Sequence, residues 1–292
     1  MNKFFWFLRP FLFLSLMMTA LPGTAQEDPY FITEHHHLPE AGALGMADYS
    51  VAGVPKQGHG FLGSDLEFEY RATKWWATTL ELHGQTTFGE STIFTGYAWS
   101  SKFKLAPEGR FFINPVFVFT WEDTSAADKS IAEIEGHSSF NDFAVPNGVA
   151  RPDREHEIET RLILSRDHRG WNFAGNILAA KDLSGEPWQF GYSLGTTRPF
   201  STAKSDTQCN VCRRAFSAGM EFYGGLGDAH QFGLSQTSHY LGPTISWELA
   251  NGIAFKAAPN FGLTQQSQHA FVHFAVVYDI PDFKKRVGEW FR

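Results

Sequence analysis

Cysteine is scarce: the 292 residues contain two, Cys209 and Cys212, in the phrase CNVC. A four-cysteine zinc site would need a second pair, and haem attachment would need His where Arg213 stands. Long apolar runs are also missing. After the opening segment, no stretch approaches the length of a membrane-spanning helix. Positive charge is short as well, with 24 Lys+Arg against 31 Asp+Glu and a net charge of −7. That sign argues against nucleic acid or anionic headgroups as partners. No phosphate loop stands out either. GGLGD, residues 224–228, has neither a helix start nor a lysine after it, so it reads as a turn.

The first residues, MNKFFWFLRPFLFLSLMMTALPGTAQ, are laid out like a secretory signal. Lys3 and Arg9 give a basic start, Phe11 to Met18 an apolar stretch, and Gly23-Thr24-Ala25 a small-residue cleavage site. Residues 1–25 are therefore expected to be removed near Ala25. Export excludes a cytosolic redox role for CNVC, and an oxidising envelope favours a Cys209–Cys212 disulfide. Residues 26–40 read as a flexible, solvated lead. It contains EHHHLPE, whose adjacent His35, His36 and His37 cannot all face one ion without an unusual backbone. No metal site or cofactor is expected.

Aromatic residues make up 16% of the chain, among them 29 Phe and 9 Trp. Their arrangement explains their number. Segments of about ten residues alternate apolar with small or polar positions, which is the pattern of a transmembrane β-barrel. Leu66, Phe68 and Tyr70 alternate with Asp65, Glu67, Glu69 and Arg71. Ile93, Thr95, Tyr97, Trp99 and Phe103 oppose Gly96, Ala98, Ser100, Lys102 and Lys104. GIAFKAAPNFGLTQ and HAFVHFAVVYDI continue the series near the end. Eleven such segments are clear. Bacterial barrels normally have an even number of strands, and AGALGMADYSVAG (41–53) supplies a weaker first one.

The expected fold is thus all-β: an up-and-down antiparallel barrel of about twelve strands over residues 41–280, in the bacterial outer membrane. ATK, APEG, DHRG and ANG would be short inner turns. Glu122 to Asp153 and GGLGDAHQFGLSQTS would be outer loops, and Ser201 to Arg213 a long inner turn carrying CNVC. Residues 281–292, PDFKKRVGEWFR, depart from alternation. Phe283, Val287, Trp290 and Phe291 can share one side of a short helix resting on the inner rim.

The strand phrases SDLEFEYRATKWWATTLELHG and GESTIFTGYAWSSKFKL resemble those of bacterial outer-membrane barrels. Within that class the chain is similar to uncharacterised porin-like envelope proteins of phenol-degradation (MetA-type) pathways. The resemblance implies a channel or transporter for a small solute and carries over no catalytic residue. It also implies outer-membrane lipid as surroundings and the barrel assembly machinery as a partner during insertion.

Candidate site residues follow from the inward face. They are the acids Glu67, Glu69, Glu81, Glu157, Glu159, Glu221 and Glu248, the bases Arg71, Lys102, Lys104, Arg161 and Lys256, and the titratable His83 and His273. Such residues either set ion preference or stitch the lumen with salt bridges. Carboxylates are in excess, so an open pore should prefer cations. Two other functions fit the class: a structural or adhesion barrel, and an enzyme acting on lipid. The outer-membrane phospholipase also has twelve strands, and its chemistry needs a His and a Ser close together. The nearest match here is His137 and Ser139, with Asn141 nearby, inside a long loop rather than on a strand.

Overall fold

The computed structural model describes residues 29–38, 40–129, 136, 143–201 and 211–290. Twelve strands run in chain order: β1 (Leu44–Gly53), β2 (Phe61–Tyr70), β3 (Trp76–Thr87), β4 (Thr92–Lys104), β5 (Asn114–Ser125) and β6 (Arg154–His168). They continue as β7 (Trp171–Asp182), β8 (Gln189–Pro199), β9 (Phe216–Asp228), β10 (His239–Glu248), β11 (Ile253–Gly262) and β12 (Ala270–Ile280). Each pairs antiparallel with its sequence neighbours, and β1 pairs with β12 to close the barrel. Closure leaves no unpaired edge, as a sheet in hydrocarbon requires.

Alternation places the apolar rows outside. Leu66, Leu80, Trp99, Phe103, Ile177, Leu194, Met220, Ile245, Phe255 and Val272 are all exposed. A girdle of this extent is suited to lipid and not to water. The intervening positions point inward. On β11, Ala254, Lys256, Ala258 and Asn260 are buried while Phe255 and Phe261 stand out. One end of the barrel carries the short turns, such as 169–170 and 249–252, and by the usual rule it faces the periplasm.

The structure corrects three local expectations. Ile93 and Thr95 point inward and are buried, and Phe94 is the residue facing lipid. The register of β3 against β4 shifts between His83 and Gly84, a bulge that exchanges the two faces above it. Second, β5 continues through Glu122 to Ser125, so the outer loop covers 126–153. Third, β9 continues to Asp228 and shortens the next loop to 229–238.

β1 is the exception to the apolar outside. Asp48 pairs with Leu66 and Val276, both lipid-facing, and so shares their face. The hydroxyls of Ser50 and Ser64 donate to its Oδ1 at 3.1 and 2.8 Å.

A four-residue helix, α1 (Asn147–Ala150), lies in the long outer loop, and α2 (Phe283–Trp290) follows β12. The N–H of Lys284 donates to the carbonyl of Gly42, and the Phe283 ring meets Tyr70 edge-on, so α2 starts against the inner rim. Residues 1–25, His137, Ser139, Asn141 and Cys209 lie outside the described residues. No described cysteine is free.

Candidate functional site in the lumen

Residues 30–38 form no regular element, yet they are not a solvated lead. They rise from the inner rim into the lumen, and strand side chains bind their backbone. The Glu221 carboxylate on β9 accepts the N–H groups of Phe31, Ile32 and Thr33 at 3.0, 2.9 and 2.6 Å. Asn176 on β7 accepts the N–H of Glu34 and donates to its carbonyl. Ser165 on β6 accepts the N–H of His36 at 2.8 Å. An irregular segment can be buried only when its polar groups find such partners.

Charge fastens the same segment. The Glu34 side chain pairs with Lys102 on β4 and with Arg161 on β6, the latter at 2.9 Å. Burial alone would raise the Glu34 carboxyl, but Lys102 and Arg161 outweigh it and hold the pKa down at about 2. The wall is also shaped to receive the segment. A Cβ on Gly195 would sit 2.5 Å from the Tyr30 ring, so only glycine leaves room for it there.

Above and beside this plug a cavity of 1310 Å³ runs along β1 to β6. Fifteen carboxylates line it against four Lys or Arg side chains among the described residues. Lys102 and Arg161 are engaged by Glu34, Arg154 pairs with Asp123, and Lys256 lies over the Tyr49 ring. His83 bonds to Asp65 at 2.8 Å and Glu159 pairs with Arg161 at 3.2 Å. Glu67, Glu81, Glu122 and Glu157 have no ion pair to a basic side chain among the described residues. They stand on β2, β3, β5 and β6, forming an acidic patch.

Of the sequence-predicted residues, Glu67, Glu69, Glu81, His83, Lys102, Glu157, Glu159, Arg161, Lys256 and His273 line the cavity. Four do not. Arg71 lies in the turn after β2, where its guanidinium donates to the carbonyls of Leu38 and Thr73. Lys104 and Glu248 end their strands at the inner rim. Glu221 is fully occupied by the plug. Glu122 was not among the predicted residues, because β5 was expected to stop at Trp121. Thr120, Glu122 and Thr124 in fact keep the alternation going, which is the signal that could have found it.

The described parts of the outer loop, residues 126–129, 136 and 143–153, are bound to the barrel wall. Gln85 on β3 accepts the N–H of Lys129 and donates to the carbonyl of Ala127 and to Asn147. Across the mouth, the N–H of Gly136 donates to the carbonyl of Phe190 on β8. Phe143 packs on Phe61 and Phe271, part of an apolar cluster that also holds Val51, Leu178, Tyr223 and Tyr240. Its buried members come from β1, β2, β7, β9, β10 and β12.

A closed twelve-stranded barrel with a lipid-facing girdle and a polar lumen is an outer-membrane β-barrel of channel-like architecture. Comparison with solved structures agrees. An outer-membrane channel from Pseudomonas putida F1 aligns over 87% of this chain and 100% of its own, with a TM-score of 0.51 and 10% identity. The NanC porin aligns over 80% and 98%, with a TM-score of 0.48 and 8% identity. LpxR from Salmonella typhimurium aligns over 81% and 99%, at 0.39 and 9%. At 10% identity the first is a likeness of fold alone, and the other two, with TM-scores under 0.5, add no argument. No protein-family model and no curated protein matches the sequence.

Proposed function

We propose that this protein is an outer-membrane channel for small solutes that favours cationic ones, with the segment 30–38 narrowing its lumen. The surrounding lipid holds the girdle, and the barrel assembly machinery inserts it. The observation that carries this reading is the acidic patch of Glu67, Glu81, Glu122 and Glu157 facing the cavity without paired bases. A unit charge about 6 Å from a carboxylate in water gains about 0.7 kcal/mol, a roughly threefold local enrichment. Several carboxylates acting together make a cation-preferring path.

The reversal potential of the purified protein in planar bilayers, under a KCl gradient, tests this. Cation preference is expected, and changing Glu67, Glu81, Glu122 and Glu157 to Gln should move the potential toward zero while the barrel stays folded. Anion preference, or a preference indifferent to all four changes, would overturn the reading.

A further inference from the structure

Where the plug leaves the lumen, two of its histidines meet two carboxylates from elsewhere in the chain. The His36 and His37 rings lie 4.0 Å apart. Beside them stand Glu108, in the turn between β4 and β5, and Asp167, near the end of β6. One ligand atom from each of the four lies within 4.8 Å of every other. His36 Nε2 is 3.7 Å from Glu108 Oε1 and 3.9 Å from Asp167 Oδ2, and His37 Nε2 is 2.7 Å from the same Oδ2.

His36 is the telling member. Its side chain is only 2% exposed, and Nε2 points into this cluster without a hydrogen-bond partner among the described residues. A buried polar atom left this way is costly unless something binds it. The other ring nitrogen is already held, with Nδ1 2.5 Å from Ser165 Oγ. Asp167 is oriented in the same manner, since Asn172 donates to its Oδ1 at 2.6 Å and leaves Oδ2 facing the histidines. Outer partners that fix a ligand's free face are typical of metal centres.

We propose that His36, His37, Glu108 and Asp167 bind one divalent transition cation of the zinc class, which fastens the plug to the inner rim. Two imidazoles with two carboxylates suit zinc, whereas calcium and magnesium prefer all-oxygen sets. Tetrahedral zinc places its ligand atoms roughly 3.4 Å apart. The wider pairs therefore have to close by up to about 1.4 Å, which the half-exposed Glu108 side chain can supply, while the 2.7 Å contact of His37 with Asp167 opens to admit the ion. The adjacency that argued against three histidines on one ion is respected, because His35 lies outside the cluster and distant residues complete the set.

Calorimetry with ZnCl2, CaCl2 and MgCl2 on the full barrel in detergent tests this, with folding checked by heat-modifiable migration on gels. One Zn2+ per barrel is expected, with no comparable uptake of Ca2+ or Mg2+. Glu108→Gln and Asp167→Asn should each weaken zinc binding roughly tenfold or more, and His35→Ala should leave it unchanged. A wild-type barrel that takes up no zinc would overturn the site. So would variants of Glu108 and Asp167 that bind as wild type, or a loss on His35→Ala equal to theirs, which would mean adventitious binding to a histidine-rich segment. None of these outcomes depends on whether the lumen conducts.

Discussion

The two sides of the lumen are built on opposite plans. From β2 to β6 the inward positions carry seven carboxylates that line the cavity, Asp65, Glu67, Glu69, Glu81, Glu122, Glu157 and Glu159. From β8 to β12 small and aromatic residues predominate, beside Lys256, Asn260 and His273. Gly191, Gly195, Gly219, Gly242, Ala254, Ala258 and Ala275 leave room that Tyr30, Phe31 and the Tyr223–Tyr240–Phe271 cluster then occupy. Among the acids of that side, Asp228 and Asp279 line the cavity, whereas Glu221 spends its charge on three backbone N–H groups of the plug. The difference also bears on why Glu67, Glu81, Glu122 and Glu157 have no basic partner among the described residues. Lys102 and Arg161 belong to the acidic side, but Glu34 engages both, and their other ion pairs go to Glu69 and Glu159.

The strongest way to break this contrast is to release the plug from both sides. In the double variant Glu34→Ala/Glu221→Ala, single-channel conductance should rise several-fold. Hydrogen bonds to a charged group are worth about 1.5–3 kcal/mol each, so losing Glu221 removes most of the hold. Conductance equal to wild type would mean that the segment does not obstruct the path. A gentler change sharpens the comparison without altering charge. Gly195→Val puts methyl groups where the Tyr30 ring lies, and should give a smaller rise in conductance with ion preference retained. The smallest effect is expected at the cysteine pair. Cys209→Ser should lower the melting temperature only slightly, because the ring closed by a Cys209–Cys212 disulfide is very short and its entropic stabilisation is at the low end. Intact mass measurement of the oxidised and reduced protein would show whether the bond is there.

The barrel was legible because lipid imposes a strict period on every strand. Leu241, Pro243, Ile245 and Trp247 on β10, for example, can be read without knowing what they pair with. The top of β4 was not legible in this way. The bulge that turns Ile93 and Thr95 inward arises from how β4 sits against β3, and the local alternation continues through it unmarked. The plug was harder still. PYFITEHHHLPE has no apolar periodicity, and its order comes from groups 129 to 190 positions away, such as Ser165 and Glu221. For the same reason His36 and His37 were visible as residues, but their meeting with Glu108 and Asp167 was not.

That separation also dictates an order of events. Hairpins of neighbouring strands can pair early, since each closes a short loop. The groups that receive residues 31–36 are spread over β4, β6, β7 and β9, so their seat does not exist until most of the wall has been laid. The earliest described part of the chain is therefore the last to come to rest. Until residues 31–36 dock, water takes their place on the carboxylate of Glu221 and the amide of Asn176.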